Sequence, residues 1–303
     1  MAEEHVKAFS GVPNVQITGV FSRTRPRAEA LAARYGITHV CDSVPELYNQ
    51  TKAQLVVVAV SVMAMHAVGS NCLNYPWKIL LEKPPGRNLQ EAEDLAALAR
   101  AKNYQVLVAL NRRFLSSTCA VLSDLEQLAG PRFIKVQDQQ DLTVARRHGH
   151  PEAVVRDWMY GNSIHVIDYL ILLGRGKVTE IIPFRRWTPE NPQLVLAGIK
   201  FDSGDTGLYE GIWNGPGPWA VSVSLPDKCW EMRPLEEAAY QLRGERRQTP
   251  LDIHVWDKEY KPGFRLQAEM AVAAARGEVS RFPTLDDTLE TMRLIAGIFD
   301  TSA

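Results

Sequence analysis

The chain has 303 residues, a length that points to two domains. Hydrophobic residues make up 46% and charged residues 23%, which supplies a full globular core and excludes a disordered chain. A formal net charge of -1 argues against a nucleic-acid or anionic-membrane surface as the main partner. Residues 2–10 read as a helix stopped by Gly11, with Val6 and Phe9 three apart. Val15 to Ser22 reads as a strand, and Arg27 to Tyr35 as a helix closed by Gly36. Leu55 to Val60 is an unbroken apolar run, expected to be a buried strand, and Ala64 to Asn74 a helix. Lys78 to Leu81 is the next strand. Leu89 to Lys102, rich in Ala, Leu and Glu, is the next helix. Gln105 to Leu110 is another buried strand. Strands alternating with helices call for right-handed βαβ units and a parallel sheet covered on both faces.

Past residue 115 the pattern changes. Phe133 to Asp138, Glu180 to Trp187, Leu194 to Phe201, Gly207 to Trp213 and Ala220 to Leu225 are extended segments separated by turns. They predict a mostly antiparallel sheet, with a helix over Ser163 to Leu173 laid against it. Phe264 to Arg276 and Leu285 to Phe299 are helices that end the chain and are free to pack back on the first half. The domains expected are 1–115 and 116–303. Cysteines stand at 41, 72, 119 and 229 without a CxxC pair, so neither a disulfide framework nor a zinc site is expected, and no metal. A reducing cytoplasm is the compartment this implies. The N-terminus has no basic and apolar segments of a signal peptide, and no run is long enough to span a membrane.

Chemistry concentrates where Trp77-Lys78-Ile79-Leu80-Leu81 runs into Glu82-Lys83-Pro84-Pro85. The two prolines end the strand and leave a lysine at its carboxyl end, the edge where open α/β sheets bind ligands. The plain alternative is an exit turn with a solvated amine. Other segments share the pattern: Glu4 to Phe9, Val20-Phe21-Ser22-Arg23-Thr24, Val58 through Ser61 to His66, Asn111-Arg112-Arg113-Phe114, and Ser163-Ile164-His165-Val166-Ile167-Asp168. With Glu82-Lys83-Pro84, in this order and spacing, they resemble the glucose–fructose oxidoreductase, inositol dehydrogenase and rhizopine-catabolism (Gfo/Idh/MocA) family. The resemblance covers nearly the whole chain.

That resemblance implies a Rossmann-type parallel-sheet domain followed by an α+β domain with a large, open, mostly antiparallel sheet. It implies hydride transfer between a nicotinamide cofactor and a sugar, keto-sugar or nucleotide-sugar. Lys83 and His165 are the catalytic residues it implies, the histidine as general acid/base. Ser22, Arg23, Thr24, Ser61, His66, Glu82, Lys83 and Asn111 are its cofactor contacts. Arg112, Trp158 and Asn162 are expected substrate contacts, with Trp213 as a further stacking surface. Ser22-Arg23-Thr24 lacks the acid that holds both ribose hydroxyls in NAD sites, and Arg23 suits a 2′-phosphate, so NADP(H) is expected over NAD(H). A homo-oligomer, dimer or tetramer, is expected through the open sheet, with Leu208 to Trp213 as its alternating strand.

Two departures qualify the resemblance. The family's first strand and Gly-x-Gly-x-x-Gly turn, roughly a dozen residues, are absent ahead of the first helix. Either the start is placed late or the phosphate cradle is lost, in which case no cofactor is expected. Gly161 stands where many members have an aspartate, one turn before the histidine. Asp157, eight residues before His165, is not expected to replace it, and Asp168 is expected to orient or cap. Two other readings therefore stand beside the oxidoreductase. One is a non-catalytic member that binds a sugar or partner subunit. The other is a redox-neutral, NAD-dependent glycosidase.

Overall fold

A computed structural model of the chain describes residues 1–188, 193–278 and 281–301. The first half alternates helix and strand. Its elements are α1 (Ala2–Ser10), β1 (Gly19–Phe21), α2 (Arg25–Tyr35), β2 (His39–Cys41), α3 (Val44–Thr51), β3 (Leu55–Val58), α4 (Val62–Cys72), β4 (Lys78–Glu82), α5 (Leu89–Ala101) and β5 (Val106–Ala109). All pairings here are parallel, β1 with β2 and β3 with β4 with β5. A 3₁₀ turn, Asn111–Phe114, leads into the second half.

The second half contains α6 (Ser116–Glu126), β6 (Phe133–Gln140), α7 (Leu142–Arg147), α8 (Glu152–Arg156) and a π-helical turn, Met159–Ser163. That turn runs directly into α9 (Ile164–Leu173). Then come β7 (Val178–Arg185), β8 (Leu194–Phe201), β9 (Thr206–Trp213), β10 (Ala220–Ser224), β11 (Lys228–Met232), β12 (Ala238–Leu242) and β13 (Thr249–Pro250). The chain closes with α10 (Trp256–Glu259), α11 (Phe264–Ala275) and α12 (Leu285–Phe299). The eight strands of this half form one sheet in the order β13-β12-β11-β10-β6-β9-β8-β7. Only β6 and β9 run parallel; the other pairs are antiparallel. This is the expected two-domain architecture, a parallel Rossmann-type sheet beside a large and mostly antiparallel one.

Several boundaries differ from expectation for physical reasons. The parallel part is not one sheet but two pieces, and β3 pairs only with β4. Leu55, Val56 and Val57 are therefore half-buried rather than core, whereas β5 is buried throughout. The strand expected over Val15–Ser22 is three residues long, because its one neighbour, β2, offers a three-residue ladder. β2 and α3 escaped the sequence reading, although Ser43 caps α3 by accepting the Glu46 backbone N–H. α6 and β11 to β13 also escaped it.

The larger core cluster runs from β4 and α5 through α9 and α12 to the inner face of the antiparallel sheet, and a second gathers α1 and α11 against Leu80 and Leu107. Tyr209 and Trp213 point inward, where the Trp213 ring lies 5.5 Å from Phe299 and 5.7 Å from Trp187. The expected role of Trp213 as a sugar-stacking surface is thus overturned: at 1% exposure no ligand reaches it. The same alternation puts Leu208, Glu210 and Ile212 on the open face. α12 starts at a full capping box, Thr284 with Asp287, and lies against both α5 and α9. α11 lies against α1. The 3₁₀ turn is braced at Gly263, whose φ is +80° and whose added Cβ would fall 2.2 Å from the Asn111 carbonyl oxygen. Gly263→Ala is expected to cost about 1–3 kcal/mol from the backbone conformation alone, before the clash. A urea unfolding midpoint equal to that of the parent chain would refute this role.

Candidate active site

β4 is buried from Ile79 to Glu82, as an apolar strand flanked on both sides must be. Its last residue, Glu82, turns inward. The Glu82 carboxylate hydrogen-bonds His5 of α1 at 2.6 Å and accepts the Lys83 backbone N–H at 3.2 Å. Burial alone would raise the Glu82 carboxyl, but the His5 hydrogen bond and charge outweigh it and hold the group below its ordinary value. The turn that carries Lys83 is thereby fixed to α1.

The Lys83 ammonium crosses to the second half and donates to the Gly161 carbonyl in the π-helical turn, at 2.8 Å. Such turns interrupt helices most often at functional positions. Arg87, four residues after Lys83, ion-pairs with Asp157 at 3.3 Å and ties the same two segments together again. Asp157 is thus committed to Arg87. A Cβ at Gly161 would meet only Trp158 at 3.9 Å and Val154 at 4.0 Å, so the glycine is not a steric requirement.

His165 follows on α9. Its Nδ1 is buried and has no hydrogen-bond partner among the described residues. Its ring centre is 6.0 Å from that of Trp219, and the Arg112 guanidinium lies over the same indole at 5.8 Å. Arg112 ion-pairs with Glu236, while its Nε is buried and unpartnered. Burial holds His165 well below the usual imidazole range, and the charges of Lys83, Arg112 and Lys261 add to the effect. Burial also brings Lys83 down to about 8; Glu82 opposes this, while Lys261 and Arg112 reinforce it. At neutral pH the site therefore holds a neutral imidazole beside an ammonium that is easily deprotonated. Two groups of different protonation state in reach of one another are what proton transfer to or from an alcohol oxygen requires.

A cleft of about 480 Å³ opens beside this centre, lined among others by Trp158, Asn162, Trp219, Gln140, His148 and His150. Its wall is fixed by a buried chain of hydrogen bonds. Trp158 Nε1 and Asn162 Nδ2 both donate to the Gln140 side-chain oxygen, at 2.7 and 2.8 Å. Gln140 Nε2 donates to Asp138 at 2.5 Å, and the Tyr209 hydroxyl donates to the other Asp138 oxygen at 2.7 Å. Burial raises the Asp138 carboxyl, and these donors only partly offset it. Of the expected substrate contacts, Trp158 and Asn162 line the cleft, and Arg112 reaches it through Trp219.

The expected cofactor contacts divide into two groups. Ser22, Arg23 and Thr24 follow directly on β1, with Arg23 and Thr24 exposed. Arg23 makes no hydrogen bond or ion pair among the described residues, whereas Arg25 beside it pairs with Glu29 and Asp42. Ser61 is exposed at the start of α4, with His66 one turn on and Val60 and Met63 exposed alongside. Glu82 and Asn111 instead turn inward. The Asn111 amide donates to the Pro262 carbonyl at 3.1 Å and holds the 3₁₀ turn against the start of α11. Asp168 is structural as well: Arg113 grips its carboxylate with two bonds of 2.7 Å, and Thr291 adds a third. Asp138, Gln140, Trp219, Glu236 and Lys261 were missed. The adjacent polar pair Gln139-Gln140 at a strand end was the one available signal; Lys261, in a Lys-Pro-Gly turn, gave none.

A strand-end lysine joined to the turn that opens the histidine helix, on a Rossmann-type fold, is the arrangement to compare with known proteins. Residues 1–110 match the family described as "Oxidoreductase family, NAD-binding Rossmann fold" (GFO_IDH_MocA). The chain is 22% identical over 286 residues to 4-carboxy-2-hydroxymuconate-6-semialdehyde dehydrogenase of Sphingobium sp., covering 90% of this chain and 87% of that protein. Its fold matches UDP-N-acetylglucosamine 3-dehydrogenase GnnA from Acidithiobacillus ferrooxidans with a TM-score of 0.78, at 15% identity, over 98% of this chain and 92% of that one. It matches levoglucosan dehydrogenase in complex with NADH and levoglucosan with a TM-score of 0.80, at 15% identity, over 98% and 93%. Over residues 1–110 the chain is matched by the Gfo/Idh/MocA oxidoreductase family.

The side chains present suit a nicotinamide dinucleotide at its two ends. Hydroxyls and a free guanidinium stand at Ser22, Arg23 and Thr24, and an orphaned buried nitrogen stands at His165 beside Lys83. Between them, α1 opens with Glu3 and Glu4, and Glu3 is paired to Arg34.

Removing one partner of a buried ion pair is costly, so Asp168→Ala is expected to destabilise the fold by about 3–5 kcal/mol in a denaturant titration. A loss of activity without that destabilisation would mean that Asp168 belongs to the chemistry. A second expectation concerns Lys83. Its depressed value means that the folded state pays to keep it charged below about pH 8, and the penalty fades as pH rises toward the unfolded value of 10.5. The stability of the parent chain relative to Lys83→Met should therefore rise between those limits. A constant difference would contradict the assigned environment.

Proposed function

We propose that the protein is an NADP(H)-dependent oxidoreductase that transfers hydride between the nicotinamide ring and a carbinol carbon of a hydroxyl-rich, sugar-like substrate. The observation that carries this reading is the Lys83 ammonium held on the Gly161 carbonyl beside a neutral, unpartnered His165.

Ser22, Arg23 and Thr24 would hold the cofactor at one end and Lys83 would border it at the other; bound there, it would supply or accept the hydride. The chain's own residues handle the proton. In oxidation, Lys83 in its amine form accepts the proton of the substrate hydroxyl as the C–H bond breaks, and the neutral His165 orients that hydroxyl. In reduction, Lys83 donates a proton to the carbonyl oxygen and is reprotonated from solvent. His165 cannot do so near pH 7, because burial keeps the ring neutral and the N–H of a neutral imidazole is too weak an acid. This shifts the acid role that the resemblance assigned to His165 onto Lys83. Trp219 and Trp158 flank the reacting carbon's surroundings and limit water.

Arg23 favours NADP(H), since among the described residues nothing neutralises it and no acid stands in Ser22-Arg23-Thr24. The four free cysteines fit a reducing cytoplasm, and among the described residues no helix is long and apolar enough to cross a membrane. Leu208, Ile212 and the exposed Phe184 give the outer face of the large sheet the apolar surface of a homo-oligomer contact.

Fluorescence titration should show saturable NADPH binding, weakened about tenfold or more in Arg23→Ala, with NADH binding unchanged, as loss of a charged hydrogen bond predicts. Equal affinities in parent and variant would remove Arg23 from the site. With a turned-over substrate, the reduction rate should fall above about pH 8 as Lys83 loses its proton. Lys83→Met should lower kcat by about 10²–10⁴-fold. A pH profile flat through 8 would rule out Lys83 as the acid.

A further inference from the structure

The cleft beside the reaction centre is larger than one sugar ring fills. At about 480 Å³ it falls within the size range that holds a drug-sized ligand. Its polar groups are already largely committed. The Trp158 N–H is spent on Gln140, and the Trp219 N–H on the Gln139 carbonyl at 2.9 Å. Gln140 has both ends of its amide engaged, and the Asn162 amide N–H also goes to it. What remains for a ligand is indole ring surface, the side-chain oxygens of Asn162 and Gln139, one Asp141 oxygen, and the imidazoles of His148 and His150, the latter packed edge-on to Trp158 at 5.0 Å. Ring surface with a few hydrogen-bonding groups at its rim is the chemistry that recognises a pyranose.

The charges narrow the choice. Among the described residues, no lysine or arginine lines the cleft. Its one carboxylate, Asp141, caps the start of α7 by accepting the Thr143 and Val144 backbone N–H groups. A diphosphate needs cationic forks, and here it would meet a carboxylate instead. The cations of this region, Lys83, Arg112 and Lys261, are grouped around His165.

We infer that the cleft binds a second, uncharged sugar ring, so that the substrate is a neutral disaccharide and not a nucleotide sugar. The inference rests on the oxidoreductase reading for which ring reacts, but the binding stands apart from turnover. One ring sits over Lys83 and His165, and the other lies against Trp158 and Trp219. α7, through Val144 and Ala145, closes one side.

Isothermal titration of the full chain with glucose, cellobiose, maltose, lactose, sucrose and UDP-glucose tests this, with NADPH binding measured in parallel. The expected result is a disaccharide that binds at least tenfold more tightly than glucose, with UDP-glucose no tighter than glucose. Trp158→Ala and Val144→Trp, the second filling the cleft, should each pull the disaccharide back toward the affinity of glucose. No gain for any of the four disaccharides, or tightest binding by UDP-glucose, overturns the inference. A chain that binds NADPH but gains nothing from a second ring overturns this inference alone. A chain that gains from the second ring but binds no NADPH supports the cleft and overturns the oxidoreductase reading.

Discussion

The structure depends on one contact, the Lys83 ammonium on the Gly161 carbonyl. A lysine withdrawn from water pays for its charge unless acceptors meet it. Here a single backbone carbonyl and the adjacent Glu82 do so, while Arg112 and Lys261 oppose it. The result is an amine poised near neutrality at the junction of the two sheets. Everything around it serves to hold that position. Glu82 and His5 fasten the turn to α1, and Arg87 and Asp157 repeat the crossing from the other side. The π-helical turn presents both the Gly161 carbonyl and the start of the histidine helix.

Behind this contact the buried polar groups fall into two sets. Asp168, Arg113 and Thr291 satisfy one another and lock α9 to the 3₁₀ turn and α12. Asp138, Tyr209, Gln140, Trp158 and Asn162 do the same between the large sheet and the π-helical turn. A fully satisfied network gives rigidity. His165 Nδ1 and Arg112 Nε stand out against it as buried atoms left without partners, both beside Trp219. Unpaired groups in low dielectric are costly, and a ligand that completes them recovers that cost on binding.

Much of the architecture was legible in the sequence. α5, α12 and β8 announce themselves through helix propensity, a capping box and an unbroken apolar run. Lys83 was legible because prolines end its strand, and His165 because a motif precedes and follows it. Other features were not. A three-residue strand such as β2 is too short to show a period. Alternation in Leu208 to Trp213 reveals two faces but not which one meets the core, so Trp213 was misread as a ligand surface. Lys261 and Glu236 reach the site only through tertiary folding, more than seventy residues from His165 in sequence. Whether Asn111 and Glu82 face a ligand or the interior is likewise decided by partners far along the chain, Pro262 and His5.

The central claim is that Lys83 is a desolvated amine among cations and not a solvated surface lysine. NMR of the chain labelled with ¹⁵N at lysine Nζ, assigned by comparison with Lys83→Arg, measures this directly across pH 6 to 11. The account predicts a single lysine titrating near 8, absent from the variant. A Lys83 resonance that titrates near 10.5, with the other lysines, would contradict it.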